Sequence, residues 1–138
     1  MKKIISFVCL LALTLSCLFV FTSCGGPNSD PDKALAALKE NGISWASKDS
    51  TIKPATLKLL GVDGVDCVVT GTGKIDEKYA HITIIYFYES AQADDAWEKI
   101  QEESDKEKED DEDGSDWVCK KSGKMIYYGT KSAVDAAK

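Results

Sequence analysis

His-Ile-Thr-Ile-Ile-Tyr-Phe-Tyr, residues 81–88, is a run of β-branched and aromatic side chains. Side chains of this kind fit the half-buried, pleated surface of a sheet, so the run predicts a strand. Val-Asp-Cys-Val-Val-Thr, residues 65–70, alternates with a period of two and predicts a second strand. A connection rich in glycine and charged residues separates the two runs, so we expect them to form an antiparallel pair.

The chain before this pair predicts two helices and a short strand. Asp30 followed by Pro31 supplies an N-cap side chain and a proline at the first helical position. Apolar residues then recur at helical spacing until Asn41 and Gly42. The predicted elements are a helix over 31–40, a short strand over 43–47 and a short helix over 54–60 that Gly61 ends.

The chain after this pair predicts a long helix, a hairpin and a terminal helix. Ser90 is a suitable N-cap for a helix with one apolar face that continues to about Lys106. A tight turn at Ser-Gly, 122–123, joins predicted strands over 117–121 and 124–128. Thr130 is expected to cap the terminal helix.

Residues 85–96 and 126–137 share an aromatic strand end, a hydroxyl cap and an alanine-rich helix. This likeness suggests a ββα repeat. Two such units usually form one antiparallel sheet of about four strands with helices packed on one face. The predicted fold is therefore α+β, a two-layer sandwich with an about four-stranded antiparallel sheet.

The N-terminus carries the pattern of an export signal. Lys2 and Lys3 precede an apolar run over 4–21, which Thr-Ser-Cys, 22–24, follows. The lysines would stay on the cytoplasmic side while the apolar run, as a signal helix, enters the translocation machinery. The pattern predicts export of the remaining chain; the alternative is an uncleaved transmembrane helix, since the run is long enough to span a bilayer.

Phe-Thr-Ser-Cys, 21–24, also matches a lipobox, which is an apolar residue, two small residues and an obligatory cysteine. About the first 26 residues resemble the signal peptides of bacterial lipoproteins, although leucine is more usual than Phe21. The resemblance implies cleavage between Ser23 and Cys24 and a diacylglyceryl group on the Cys24 thiol. Two acyl chains anchor a protein stably, so the membrane is the expected partner. The expected location is the extracytoplasmic face of the cell membrane or outer membrane.

The predicted organisation is a signal peptide over 1–23, a flexible tether over 24–31 and a single α+β domain over 32–138. The two-lobed solute-binding lipoproteins are usually more than twice this size, which disfavours that class. The net charge is −6 and the chain contains no arginine. A basic footprint for nucleic acid is therefore lacking, and so is the guanidinium fork that recognises phosphate.

Two free thiols, Cys67 and Cys119, remain in the domain after the predicted cleavage and lipidation, and both fall in predicted strands. Export would place them where disulfides persist, so they are candidates for a disulfide bond. Two unpaired, buried thiols are the alternative.

The densest charge run of the chain is the acidic stretch 102–116. Glu109, Asp111, Asp113 and Gly114 resemble the first half of a calcium loop, but the position of its closing glutamate falls on Lys120. The pattern favours a solvated acidic loop over a calcium site. No metal site and no cofactor are predicted.

His81 is the only histidine of the chain, and no motif gathers a serine and an acid around it. A structural role is favoured over a catalytic one, so no catalytic residue is predicted. Aromatic residues of the predicted strands, including Tyr86, Tyr88 and Tyr128, would mostly fill the core. Any that stay exposed would offer a contact surface to a protein or glycan partner.

These patterns together predict a small, acidic, non-enzymatic lipoprotein that acts as a binding or interaction module. One alternative is an envelope enzyme, such as a hydrolase, and it requires His81 to approach a nucleophile or carboxylates. The other alternative is an acidic cation-binding surface protein, which depends on the 102–116 stretch.

Overall fold

The computed structural model describes residues 26–110 and 116–138, and these form an α+β fold. Five antiparallel strands make one open sheet in the order β1-β2-β3-β5-β4. The predicted α+β class and antiparallel sheet are confirmed, with five strands in place of about four. None of the described helices is long and apolar enough to cross a membrane. In chain order the elements are α1 Pro31–Glu40, β1 Trp45–Asp49, α2 Ile52–Leu59, β2 Val65–Ile75, β3 Lys78–Phe87, α3 Ser90–Asp110, β4 Trp117–Ser122, β5 Met125–Thr130 and α4 Lys131–Ala136.

Local sequence signals set the first helix as predicted. The Asp30 carboxylate accepts hydrogen bonds from the backbone N–H groups of Asp32 and Lys33, and Pro31 occupies the first turn. These bonds satisfy donors that have no partner within the helix. The helix ends at Glu40, before a left-handed Gly42 with φ of 96°.

The central hairpin of β2 and β3 is longer than the sequence predicts. Its turn is Asp76-Glu77, where both residues have positive φ, and the Gly-Thr-Gly-Lys stretch 71–74 belongs to β2 rather than to a connection. Glycine fits here because a side chain at Gly71 would collide with Ile43, which packs over this part of the sheet. Gly71 and Gly73, which the sequence pattern assigned to a connection, thus allow close packing on a strand.

Helices cover both faces of the sheet, whereas the sequence predicted helices on one face. On the back face, α1 and α4 pack over Ile82, Ile84 and Tyr127. On the front face, α2 and α3 pack over Ile85 and Ile126. Strand β3 is apolar on both sides, so both faces must be covered to remove its side chains from water.

The predicted ββα repeat is not a repeat in three dimensions. Helix α3 follows β3 onto the front face, but α4 follows β5 onto the back face. A two-fold relation between the antiparallel neighbours β3 and β5 would place both helices on the same face. The likeness between 85–96 and 126–137 is therefore one of local pattern only.

Part of the predicted tether lies against the domain. The Asn28 backbone N–H donates to the Ala137 carbonyl at 2.8 Å, and its carbonyl accepts from the Tyr86 hydroxyl at 2.7 Å. Gly26 lies so close to the Tyr127 ring that a side chain would collide with it. Residues 26–30 are thus held to the back face before α1 begins.

Replacement of Gly129 should test the close approach of β3 and β5. Gly129 has φ of 150°, and a Cβ atom there would overlap the His81 carbonyl and Ile82 Cα. We expect Gly129→Ala to lower the free energy of unfolding by about 2 kcal/mol or more, measured by urea denaturation.

Gly123 supplies the matched control for this measurement. It also has positive φ, 59°, but open space surrounds it, so Gly123→Ala should cost only about 1 kcal/mol of backbone strain. Equal losses for the two variants would show that the contact between β3 and β5 is not the cause.

Candidate functional site

His81 lies on the front face of β3 under the C-terminal half of α3. Its Nε2 is 3.0 Å from Oε2 of Glu107, and the Tyr128 hydroxyl donates to Oε1 of the same carboxylate at 3.3 Å. Burial, together with the Glu107 charge, raises the pKa of Tyr128, so the phenol stays protonated and acts as the donor. Both oxygens of Glu107 are thereby fixed by partners within the domain.

The His81 ring also stacks against Trp117 of the edge strand β4. The two ring centroids are 6.3 Å apart with an interplanar angle of 19°, and the Tyr128 ring centroid is 6.2 Å from that of the indole. The Trp117 Nε1–H donates to Oγ of Ser104, a fully buried serine of α3, at 2.9 Å. This hydrogen bond sets the orientation of the indole.

A small cavity of about 190 Å³ opens beside this cluster. Two larger cavities of about 240 and 470 Å³ each share one lining side chain with it. Glu107 belongs to the first and the 240 Å³ cavity, and Tyr79 belongs to the first and the 470 Å³ cavity. We refer to these three neighbouring cavities together as the front groove. The first cavity is lined by Tyr79, His81, Glu107, Asp110 and Trp117.

Chain pairing explains why these residues meet. Trp45 pairs with Thr72, Thr72 with His81, and Trp117 with Thr130. The His81 backbone N–H donates to the Thr130 hydroxyl at 3.2 Å, which completes one row across all five strands. The row lies at one end of the front face, and only the polar C-terminal half of α3 packs there.

Thr130 itself departs from its predicted role. It occupies the N-cap position of α4, but its side chain makes no capping bond and instead accepts from β3. The hydroxyl thus joins two strands beneath the front groove.

Most of the strand aromatics that the sequence analysis considered are core residues, as favoured there. Tyr86 and Tyr128 are buried, and only Tyr88 stays exposed. The exposed aromatics of the front groove are two that the sequence analysis missed: Trp45 is 80% exposed and Tyr79 is 59% exposed.

Glu107 was also missed as a partner of His81, because 26 positions separate the two residues and only tertiary packing joins them. Sequence alone placed it in the acidic stretch 102–116. Of the calcium-loop residues in that stretch, Asp111, Asp113 and Gly114 lie outside the described residues. The part of the chain that is described contains no group of three or more His, Cys, Asp or Glu side chains able to hold a metal ion.

The two candidate disulfide cysteines are not paired, which corrects that prediction. Cys67 is buried on the back face and Cys119 is half-buried on the front face. Their strands, β2 and β4, are separated by β3 and β5, a distance of about 14 Å. A disulfide requires Cα atoms within about 7 Å, so the bond cannot form in this fold.

Ser23 and Cys24, the predicted cleavage and lipidation residues, lie outside the described residues.

Comparison of the chain with protein-family models, with curated proteins and with solved structures finds no match.

Both thiols should be free and slow to react. Burial raises the pKa of Cys67 to about 11 and also raises the pKa of Cys119. The reactive thiolate is therefore scarce at pH 8. We expect iodoacetamide to alkylate both cysteines after denaturation without reductant, and to alkylate the native protein far more slowly, as peptide mass mapping would show.

A Cys119→Ser variant is the control, and its denatured chain should retain the alkylated Cys67 peptide. Alkylation of the wild-type peptides only after addition of a reductant would mean that the thiols are paired after all.

Proposed function

We propose that this protein is a lipid-anchored, extracytoplasmic binding module whose ligand site is the front groove. The observation that carries the binding role is the set of fixed polar and aromatic side chains where the C-terminal half of α3 meets the sheet. His81, Glu107 and Trp117 are held by hydrogen bonds and stacking within the domain, so they are already ordered for a ligand. Concave sites with aromatic walls and a few fixed polar groups are typical of ligand binding.

The lipid anchor in this proposal rests on the lipobox-like residues 21–24. Only Gly25 separates Cys24 from Gly26, which already lies against the Tyr127 ring on the back face. Lipidation at Cys24 would therefore hold the back face close to the membrane. The front groove lies on the opposite side of the sheet and would face away from the lipid.

The hydrolase alternative receives partial support from the position of His81. The imidazole does approach a carboxylate, but its Nε2 is the nitrogen that Glu107 engages. The remaining nitrogen, Nδ1, is buried and has no hydrogen-bond partner among the described residues. A general base needs a nucleophile within hydrogen-bond reach, so this geometry favours a binding role for the cluster.

The anchor is tested by the intact mass and detergent partitioning of the full-length chain expressed in a bacterial host. The wild type should start at Cys24, carry the mass of a diacylglyceryl group and enter the detergent phase. Cys24→Ala should lose both the added mass and the partitioning, because the thiol is the attachment point.

Cys119→Ala provides the matched control, since it removes a thiol of the folded domain and should leave the lipid in place. A full-length, unmodified membrane species in the wild type and in Cys24→Ala would instead establish an uncleaved helix and remove the anchor from the proposal.

A further inference from the structure

We propose that the cavity over His81 binds an organic cation, namely an alkylammonium or quaternary ammonium group carried by the ligand. This inference rests on the proposed role of the front groove as a ligand site, and it names the chemistry of that site. Two independent features of the cavity favour a positive charge: its carboxylates and its aromatic walls.

Carboxylates line the cavity. Glu107 and Asp110 belong to its lining, and no lysine does. The two carboxylates repel one another, and a bound cation would relieve that repulsion.

The walls of the cavity are aromatic. Trp117, Tyr79 and His81 line it, and the rings of His81 and Trp117 are stacked. The face of an aromatic ring attracts a cation within about 6 Å, and cages of such rings recognise quaternary ammonium groups. The hydrogen bond from Trp117 to Ser104 holds the indole in place without a ligand, which lowers the cost of ordering the site.

The arrangement of Glu107 favours an organic cation over a metal ion. The described residues contain no group of three or more side chains able to hold a metal ion, and Glu107 already contacts Tyr128 and His81. The charge of the carboxylate still acts through space on a bulky ammonium group. A volume of about 190 Å³ suits a small alkylammonium head, while the ligand body would extend past Tyr79 toward Trp45.

Choline chloride is the probe, and its uncharged carbon analogue, in which a tert-butyl group replaces the trimethylammonium group, is the matched ligand control. The full-length chain is purified in a non-ionic detergent, because detergents with choline head groups would compete. Binding is followed by the backbone and indole N–H resonances in NMR spectra. We expect choline to shift the Trp117 indole resonance and the His81 backbone resonance, and we expect the carbon analogue to bind at least about tenfold more weakly.

Two substitutions of Tyr79 separate the ring from its hydroxyl. Tyr79 is exposed, so neither change should disturb folding. Tyr79→Ala should weaken choline binding by about tenfold, and Tyr79→Phe should retain most of it, because the ring face supplies the attraction. Tyr88→Ala is the control, since Tyr88 is equally exposed but lies outside the three cavities of the groove.

Glu107→Gln tests the negative charge while it keeps the shape of the side chain. We expect weaker choline binding and an unchanged response to the carbon analogue. Unfolding by urea, measured alongside, distinguishes this loss from a loss of folded protein.

The outcomes separate the inference from the proposed function. Equal shifts from choline and its carbon analogue in the front groove would overturn the cation inference and leave the groove as a binding site. Shifts of the same resonances by calcium chloride but not by choline would also overturn it, in favour of a metal ion. If the groove resonances respond to none of these probes and to no member of a library of neutral and anionic fragments, both the inference and the binding role of the groove fail.

Discussion

Strand β3 is the constraint on which the rest of the structure depends, because its side chains are apolar on both sides of the sheet. Ile82 and Ile84 point to the back face and Ile85 points to the front, and all are at most 1% exposed. A strand of this kind is stable only in the interior of a sheet with a layer over each face. It therefore takes the central position between β2 and β5, and helices are needed on both sides. The hydrophobic burial that results is the main stabilising term in a domain of this size.

The front groove follows from the same strand, because β3 loses its apolar character at one end. On the front face, Ile85 is succeeded toward the β2–β3 turn by Thr83, His81 and Tyr79. Helix α3 matches this change: its first three turns bury Ala93, Ala96 and Ile100, and its last turns offer Glu107 and Asp110. Apolar packing thus fixes one end of the helix to the sheet, and the other end meets the sheet through polar and aromatic contacts. A site formed in this way is held by a rigid layer and remains open to solvent.

Local signals allowed part of the fold to be predicted from the sequence. The Asp30 cap, the Pro31 start and the period of two in β2 and β3 act between neighbouring residues, and the structure agrees with each of them. The side of the sheet on which each helix packs could not be predicted, because a short connection after a strand can lead to either face. The glycines at 71–74 were misassigned for a related reason, since their role is to admit Ile43 from another part of the chain.

The candidate site was less predictable than the fold, because it consists of long-range contacts. His81 was recognised as the single histidine, but its contacts with Glu107 and Trp117 arise from strand order and from the length of α3. Cys67 and Cys119 were candidates for a long-range contact that the fold does not form. Each was correctly placed in a strand, but the strand order 2-3-5-4 and the alternation of faces set them apart. Residue type alone indicates which groups could react or bind, and strand order decides which of them meet.

The opposite placement of the N-terminal segment and the front groove connects the two parts of the proposed function. Asn28 is hydrogen-bonded to Tyr86 and Ala137 at the back face, so this part of the N-terminal segment lies on the side of the sheet away from His81. A short attachment to a lipid would restrict rotation of the domain and keep the back face toward the membrane. The membrane itself would then not block the groove, and a ligand arriving from outside would meet the aromatic and acidic end of the sheet first. The proposed anchor and the proposed binding site would thus be compatible in one molecule, because the sheet separates the N-terminal segment from His81.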